Sequence, residues 1–524
     1  LDEPPLQSLL AQIQRLASQA TDKAAPSSVT AVSGPDADAK APAAKIPATL
    51  LWSVLAVVLL TSSALAGWYL LGSNTPSVVV NTVPPSSAAP GASPAMAPAV
   101  EAELPAGGAK VVLRVHGSNT VGEKLAPALL EAFFATQGIT RFDWEKQQAD
   151  VERLFSFATD NGVTGVQLHA HGSSTAFKDL LAAKADVGMS SRRVTQAEVD
   201  TARPLLGDLS KIGNEHIIAL DGLAIIVNQN NPLKAISTET LAKVFSAEIN
   251  NWSQLGGADR PIVILARDNN SGTFDTFNSL VLQKFAKQLS AKAQRFESST
   301  ELSVAVSQDE AAIGFIGLNY ISYNKALAIS EGGDTTPIYP TRFTVSTEDY
   351  ALSRRLYLYT PTAASQLAKD FAQFAISEQG QALVEQTGLI SQNIRVEKVF
   401  AIDGAPASYN RYAETGQRLS LNFRFNYGEN DLDNKGKRDL QRLMSFMEQN
   451  SGRRLVLMGF SDSVGAVVKN TDLAMRRAKA VERELVSRGI PVMAVESYGE
   501  LLPVANNDTD AGRERNRRVE VWVI

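Results

Sequence analysis

Arg267, Ser271, Gly272 and Thr273 fall within seven positions, after the apolar run Ile262–Leu265 and before Phe274 and Phe277. A guanidinium is a permanent cation with a planar fork of donors, hydroxyls add further donors, and glycine lets a backbone amide come close to a bound group. That combination suits an oxyanion. Two other stretches share the design. Val111–His116 runs into Gly117-Ser118-Asn119-Thr120 and a periodic segment with Leu125, Leu129, Ala132 and Phe133; Val166–His171 runs into Gly172-Ser173-Ser174-Thr175 and a segment with Phe177, Leu180 and Leu181. Each reads as a strand, a glycine–hydroxyl turn and a helix start. Helix amino termini leave N–H groups unpaired and carry partial positive charge, which draws anions. Ser and Thr are also ordinary N-caps, so one such turn says little. Three of them, one with an arginine four residues before its serine, point to a common anion.

A second constellation stands further along. The apolar run Leu455–Phe460 leads through Ser461 to Asp462, and a helical pattern follows with an Ala474, Ala478, Val481, Leu485 stripe and a stop at Gly489-Ile-Pro491. Asn470 to Asp472 offer caps for that helix. Arg477 lies off the stripe and can project back toward the strand end. An aspartate and an arginine shown together hold a zwitterion or simply pair with each other, and spacing alone leaves both readings open. His169 and His171 share one face of a strand, but no carboxylate stands at ligand spacing beside them in the sequence. No metal, cofactor or catalytic nucleophile is expected. The chain has no cysteine, which excludes disulfides, thiolate metal sites and thiol catalysis.

The elements that must position these residues form an α/β domain from 109 to about 395, where apolar strands alternate with helical patterns. A composition shift over 396–414 separates it from a final α+β segment, 415–524. The net charge of −5, with no basic block, disfavours a nucleic-acid surface. Ala48–Leu71 carries no charged residue; at about 1.5 Å per residue it is long enough to cross a hydrocarbon core of about 30 Å. One transmembrane helix is therefore expected at 47–72. Arg15, Lys23, Lys40 and Lys45 precede it and no Lys or Arg follows until Lys110, so the positive-inside bias puts residues 1–46 in the cytoplasm and the bulk of the chain outside. Leu6, Leu9, Leu10, Ile13 and Leu16 form one face of a short helix that is either solvated or a docking point for a membrane or cytoplasmic partner; the rest of the tail reads as disordered. Residues 73–108 hold seven prolines in 36 positions, a semi-rigid spacer. An additional hairpin is expected between Arg141 and Gly165.

The runs Ala185-Asp-Val-Gly-Met-Ser-Ser-Arg-Arg, Leu220-Asp-Gly-Leu-Ala-Ile-Ile-Val-Asn, Ile249-Asn-Asn-Trp-Ser-Gln-Leu-Gly-Gly, Ser271-Gly-Thr and Tyr350-Ala-Leu-Ser-Arg-Arg-Leu-Tyr resemble the PstS-type phosphate-binding proteins of ABC transport systems across residues 109–395. The resemblance implies a two-lobed periplasmic-binding-protein fold with phosphate between the lobes. By position, its ligand groups fall on Ser118, Thr120, Ser173, Ser191, Arg267, Ser271, Gly272 and Thr273. Some members carry an aspartate after the serine matching Ser191, accepting the proton of hydrogen phosphate; here that place holds Arg192. Sulfate offers only acceptors, so such an aspartate acts as a filter. Asp221 either supplies that acceptor or shapes a turn. Gly459-Phe-Ser-Asp462, Asn470-Thr-Asp-Leu, Arg477-Ala and Gly512-Arg-Glu-Arg-Asn-Arg-Arg-Val resemble the OmpA-like peptidoglycan-binding domain. That resemblance implies that Asp462 and Arg477 hold the zwitterionic centre of diaminopimelate in the peptidoglycan stem peptide, with Asn470 beside them. The expected protein is an inner-membrane binding and tethering protein of a Gram-negative cell envelope with its bulk in the periplasm, and not an enzyme. The alternatives are a wall tether whose cleft holds another oxyanion or nothing, and a phosphatase, for which no metal cluster or activated nucleophile is evident.

Overall fold

The computed structural model describes residues 108–149, 151–269, 271–332, 335–425 and 431–524. The expected tail, membrane span and nearly all of the spacer lie outside them. Among the described residues no helix is long and apolar enough to cross a membrane.

The chain first builds β1 (Lys110–Gly117), α1 (Ala126–Thr136), β2 (Asp143–Lys146), β3 (Glu152–Thr159), β4 (Gly162–His169), α2 (Ser173–Leu181), β5 (Val187–Ser190), α3 (Gln196–Leu206) and β6 (Glu215–Val227). β1 lies between β4 and β5, parallel to both. The expected hairpin is present: β2 and β3 pair antiparallel and extend the sheet at its edge. Leu129, Leu130, Phe133 and Phe134 of α1 are buried against Phe155 and Phe157 of β3. Alternation along each strand turns Leu113, Val115, Val166 and Leu168 into this same core.

The second lobe adds β7 (Ala235–Ser237), β8 (Val263–Arg267), α4 (Gly272–Phe277), β9 (Gln294–Phe296), α5 (Ser299–Gln308), β10 (Ala312–Gly317), β11 (Lys325–Ala326) and β12 (Ala328–Ser330), before β13 (Ser353–Tyr359) returns to the first. The main sheet runs β2-β3-β4-β1-β5-β13-β6-β10-β8-β9. β6 joins the lobes. Every one of its residues is buried, as its nearly continuous apolar run requires of a strand covered on both faces. Glu215–Gly222 of β6 pairs with β13, and Leu223–Val227 pairs with β10. The core changes at the same place: Ile218 and Ala219 belong to the first lobe's cluster, Leu220, Leu223 and Ile225 to the second's. At the changeover, a Cβ on Gly222 would come within 2.5 Å of Val345 Cγ2, so only glycine fits.

The last part of the chain includes β14 (Val396–Glu397), β15 (Gln417–Arg424), α6 (Asn434–Gln449), β16 (Leu455–Phe460), α7 (Val467–Val486), β17 (Val492–Gly499) and β18 (Arg518–Val523). Their sheet runs β14-β15-β18-β16-β17, with α7 connecting the parallel pair β16 and β17. Ala478, Val481 and Leu485 of α7 pack on Leu455 and Leu457 of β16, as the helical stripe predicts. The helix starts earlier than its sequence suggests. Asn470 lies inside α7 and is not its cap; its Nδ2 donates to Glu500 Oε2 at 2.7 Å.

The two folded parts meet through charge. Arg355 of β13 donates to Asp433 Oδ2 at 2.7 Å, Arg418 to Asp349 Oδ2 at 2.8 Å and Arg424 to Glu348 Oε2 at 2.9 Å. Asn422 donates to Thr347 O and Asp349 Oδ1, and Asn434 donates to Glu215 Oε1 and Ser210 O. Burial alone would push the Glu348 carboxyl up; the Arg355 and Arg424 guanidiniums outweigh it and hold it well below the usual carboxylate range. His216, on β6 and 3.4 Å from Arg438, is pushed down to about 3 by burial and by that neighbouring cation.

Candidate functional site

A cavity of about 270 Å³ opens where the lobes face each other, lined by Thr120, Lys124, Asp221, Arg267, Gly272, Thr273, Ser299 and Tyr320 among others. The first and third turns singled out in the sequence line it, whereas Ser173 of the second turn and Ser191 are not among its lining residues. Thr120, after β1, donates through Oγ1 to Gly272 O at 3.3 Å. The approach is so close that a Cβ on Gly272 would stand 2.7 Å from Thr120 Cα. The second turn joins through Ser173, whose hydroxyl is 3.0 Å from that of Ser191; Ser191 Oγ in turn donates to Asp275 Oδ2 of α4 at 3.3 Å. Lys124 Nζ donates across the gap to Tyr320 OH at 3.1 Å.

Two arginines supply the positive charge. Arg267 ends β8 and is 8% exposed. It donates to Ser299 Oγ at 2.5 Å, Glu297 O at 2.6 Å and Phe296 O at 3.3 Å, with Thr273 Oγ1 3.5 Å away. Neutral carbonyls and hydroxyls hold its plane, and the Asp268 carboxylate pairs with it more loosely, Oδ2 standing 3.7 Å off. Arg354 was not assigned a role from sequence. It donates to Thr120 Oγ1 at 2.7 Å, Gly272 O at 3.2 Å, Asp275 Oδ2 at 3.3 Å and Asp221 Oδ2 at 3.4 Å, so one side chain touches both the first and third turns. The signal was there: two successive arginines in an otherwise apolar strand, of which alternation must send one to each face.

Thr120, Asp221, Arg267, Gly272 and Thr273 of the expected residues line the cavity. Ser271 is the N-cap of α4, accepting from Thr273 N. Ser118 is fully buried and its Oγ has no hydrogen-bond partner among the described residues. Asp221 shapes no turn; it sits within β6, where its Oδ2 accepts from Thr276 Oγ1 at 2.9 Å. Arg192 departs from the expected cluster. Its guanidinium forks onto Glu198 at 2.7 and 2.8 Å and lies over the Phe177 ring. The reason is local, since Glu198 is the capping-box residue of α3 and lies within reach of the preceding turn.

In the final domain Arg477 of α7 is 1% exposed, and its Nε and Nη1 have no hydrogen-bond partner among the described residues. It lies over the Phe425 ring. Burial, then the neighbouring Arg517 charge, push its pKa down to about 10 against the opposing pull of Asp462. Asp462 accepts from Arg517 Nη1 at 2.9 Å. Arg517 was missed in the sequence because it sits in a run of arginines with no periodic clue. Two cations and one carboxylate leave a net positive pocket with unused donors, which a carboxylate would complete.

The PBP superfamily domain profile matches residues 104–379, and the OmpA family profile matches residues 424–517. The phosphate-binding protein PstS of Borreliella burgdorferi is 29% identical over 247 residues, covering 46% of this chain and 84% of its own length. The phosphate-binding protein PstS of Bacillus subtilis is 29% identical over 235 residues, covering 45% of this chain and 73% of its own. The structure of an ABC-type phosphate transport receptor from Vibrio cholerae aligns with 53% of this chain and 99% of that one, at 25% identity and a TM-score of 0.41. With more than half of its residues inside the first profile, the chain belongs to the PBP superfamily and carries an OmpA-family domain after that fold.

Proposed function

We propose that the chain binds phosphate between its two lobes and attaches to peptidoglycan through its OmpA-family domain, as a binding and tethering protein and not an enzyme. The observation that carries the first part is the meeting of Thr120, Arg267, Gly272 and Thr273 around one cavity between the lobes, with Arg354 bonded to Thr120 and Gly272. The names of the curated relatives support phosphate as the anion. Thr120, Ser173, Ser191, Arg267, Ser271 and Thr273 donate to the oxyanion, with the unpaired Ser118 hydroxyl as a further donor. Asp221 takes the part of proton acceptor that favours hydrogen phosphate over sulfate. Arg192 serves by holding the turn after β5, through Glu198.

At the second site, Asp462 receives the ammonium of diaminopimelate and Arg477 its carboxylate; the two buried donors of Arg477 support this. Asn470 steadies the rim through Glu500. The helix at 47–72 anchors the protein in the inner membrane, with the tail cytoplasmic and the spacer reaching into the periplasm. Lobe closure is communicated to the wall-binding domain along β6 and β13, because both strands reach from the cleft to the charged seam with that domain. Calorimetry of the chain with phosphate and with sulfate tests the first reading: saturable phosphate binding at one site, stronger than sulfate, is expected, and equal or absent binding rejects it. In sedimentation with diaminopimelate-type sacculi, Asp462→Asn is expected to leave the protein in the supernatant.

A further inference from the structure

We infer that Glu152, His169 and His171 form a binding site for a divalent transition-metal ion, zinc foremost, at the end of β4. Three of the chain's four histidines gather here. Seventeen positions separate Glu152 from His169 in the sequence, but the antiparallel register of β3 and β4 sets them directly opposite each other. His171 follows two residues later, beyond the strand end. Glu152 Oε1 lies 2.7 Å from His171 Nε2 and 3.9 Å from His169 Nδ1, and the three ligand atoms all fall within 4.8 Å of one another.

Zinc bonds of about 2.0–2.2 Å in a tetrahedron place neighbouring donors roughly 3.3–3.6 Å apart. The two distances to Glu152 bracket that value and the widest separation is at most 4.8 Å, so side-chain movements of about 1 Å bring the three onto one ion. Two imidazoles and a carboxylate are a donor set for zinc and its neighbours, and poorly matched to magnesium or calcium, which take oxygen. The fourth position is open to water, since the His171 side chain is 36% exposed.

The surroundings fix the geometry. His116, opposite His169 on β1, stacks on its ring with centroids 4.3 Å apart and planes 12° from parallel. Both His116 nitrogens are engaged, Nδ1 with Asp179 at 2.8 Å and Nε2 with Gln167 at 3.2 Å, so this third imidazole is a wall and not a ligand. The His169 and His171 rings stand 84° apart, presenting their nitrogens from different directions. Because His171 is two residues before Ser173, where α2 begins, a bound ion would pin the entry to the second turn of the cleft.

The test is a titration of the full chain, purified without a histidine tag and in phosphate-free buffer, with zinc chloride followed by calorimetry and with cobalt chloride followed by visible absorption. One equivalent of zinc and a tetrahedral cobalt band are expected. Glu152→Gln and, at the partly exposed position, His171→Ala should each weaken zinc at least about a hundredfold, beyond what loss of a supporting contact brings, with the far-ultraviolet circular dichroism unchanged. Absence of saturable binding in the unaltered chain, or affinity unchanged in both variants, overturns the site.

Discussion

Arg354 and Arg355 are consecutive residues of β13 and enter opposite regions of the molecule. Arg354 faces the cleft, where its partners include Thr120, a backbone carbonyl and the half-exposed Asp275. Arg355 faces the seam with the OmpA-family domain, where Glu348 and Asp433, both buried, surround it. The same side chain thus does different work one peptide bond apart. In the cleft, hydroxyls and carbonyls share the cationic donors with carboxylates that stand farther off, Asp275 and Asp221 at 3.3 and 3.4 Å from Arg354 and Asp268 at 3.7 Å from Arg267. At the seam, carboxylates stand 2.7–2.9 Å from Arg355, Arg418 and Arg424, so those charges are spent on holding two domains together. A buried cation with close counter-charges is structural, and one whose nearest partners are neutral keeps more of its charge for an anion.

The sharpest way to break this contrast is at the seam. Arg355→Ala leaves Glu348 and Asp433 short of a cation, and removal of one partner from a buried pair costs about 3–5 kcal/mol. Urea denaturation should show that loss, or a split into two transitions as the domains part. In the cleft the largest effect falls on affinity. Arg267→Ala removes a charge-assisted hydrogen bond of about 1.5–3 kcal/mol, which should lower phosphate affinity roughly ten- to a hundredfold in calorimetry. Asp221→Asn keeps the shape and removes an acceptor; the preference for phosphate over sulfate should narrow by about tenfold, measured as the ratio of the two affinities.

The most gradual effect is one of pH. The His216 imidazole, ordinarily near 6.5, is held at about 3 in the folded chain, so the unfolded chain binds the extra proton between those values and stability falls as pH drops below 6.5. From pH 7 to 5 this amounts to at most about 2 kcal/mol. Glu348 acts in the same sense lower down: its contribution is complete above its ordinary value of 4.5 and is lost as pH falls below it. Urea midpoints measured from pH 7.5 to 5 should decline in the parent chain and decline less in His216→Asn.

Much of the site was legible because local chemistry marks it. Glycine–hydroxyl turns after apolar runs placed Thr120 and Gly272 beside strand ends, and the strands do bring those two together, while Ser173 connects only through Ser191 and Asp275. What was not legible depends on pairing across distance. Arg354 reaches the cleft only because β13 returns between β5 and β6; no spacing along the chain announces that. Glu152 meets His169 through register, and Arg192 was captured by Glu198 because an N-terminal capping residue happened to lie within reach. The helix start at Val467, three residues before Asn470, was hidden by the lack of any side-chain cap. The expected membrane span and tail lie outside the described residues.

The seam has one more consequence. Arginines, carboxylates and asparagine amides are groups that water receives readily, so the contacts drawn through Glu348, Asp349, Arg418 and Arg424 can re-wet when the domains separate, instead of presenting a sticky face to neighbouring molecules. A seam made of such groups presents little apolar surface if it parts, and the match of each fork of donors to its own acceptor sets the register in which it closes.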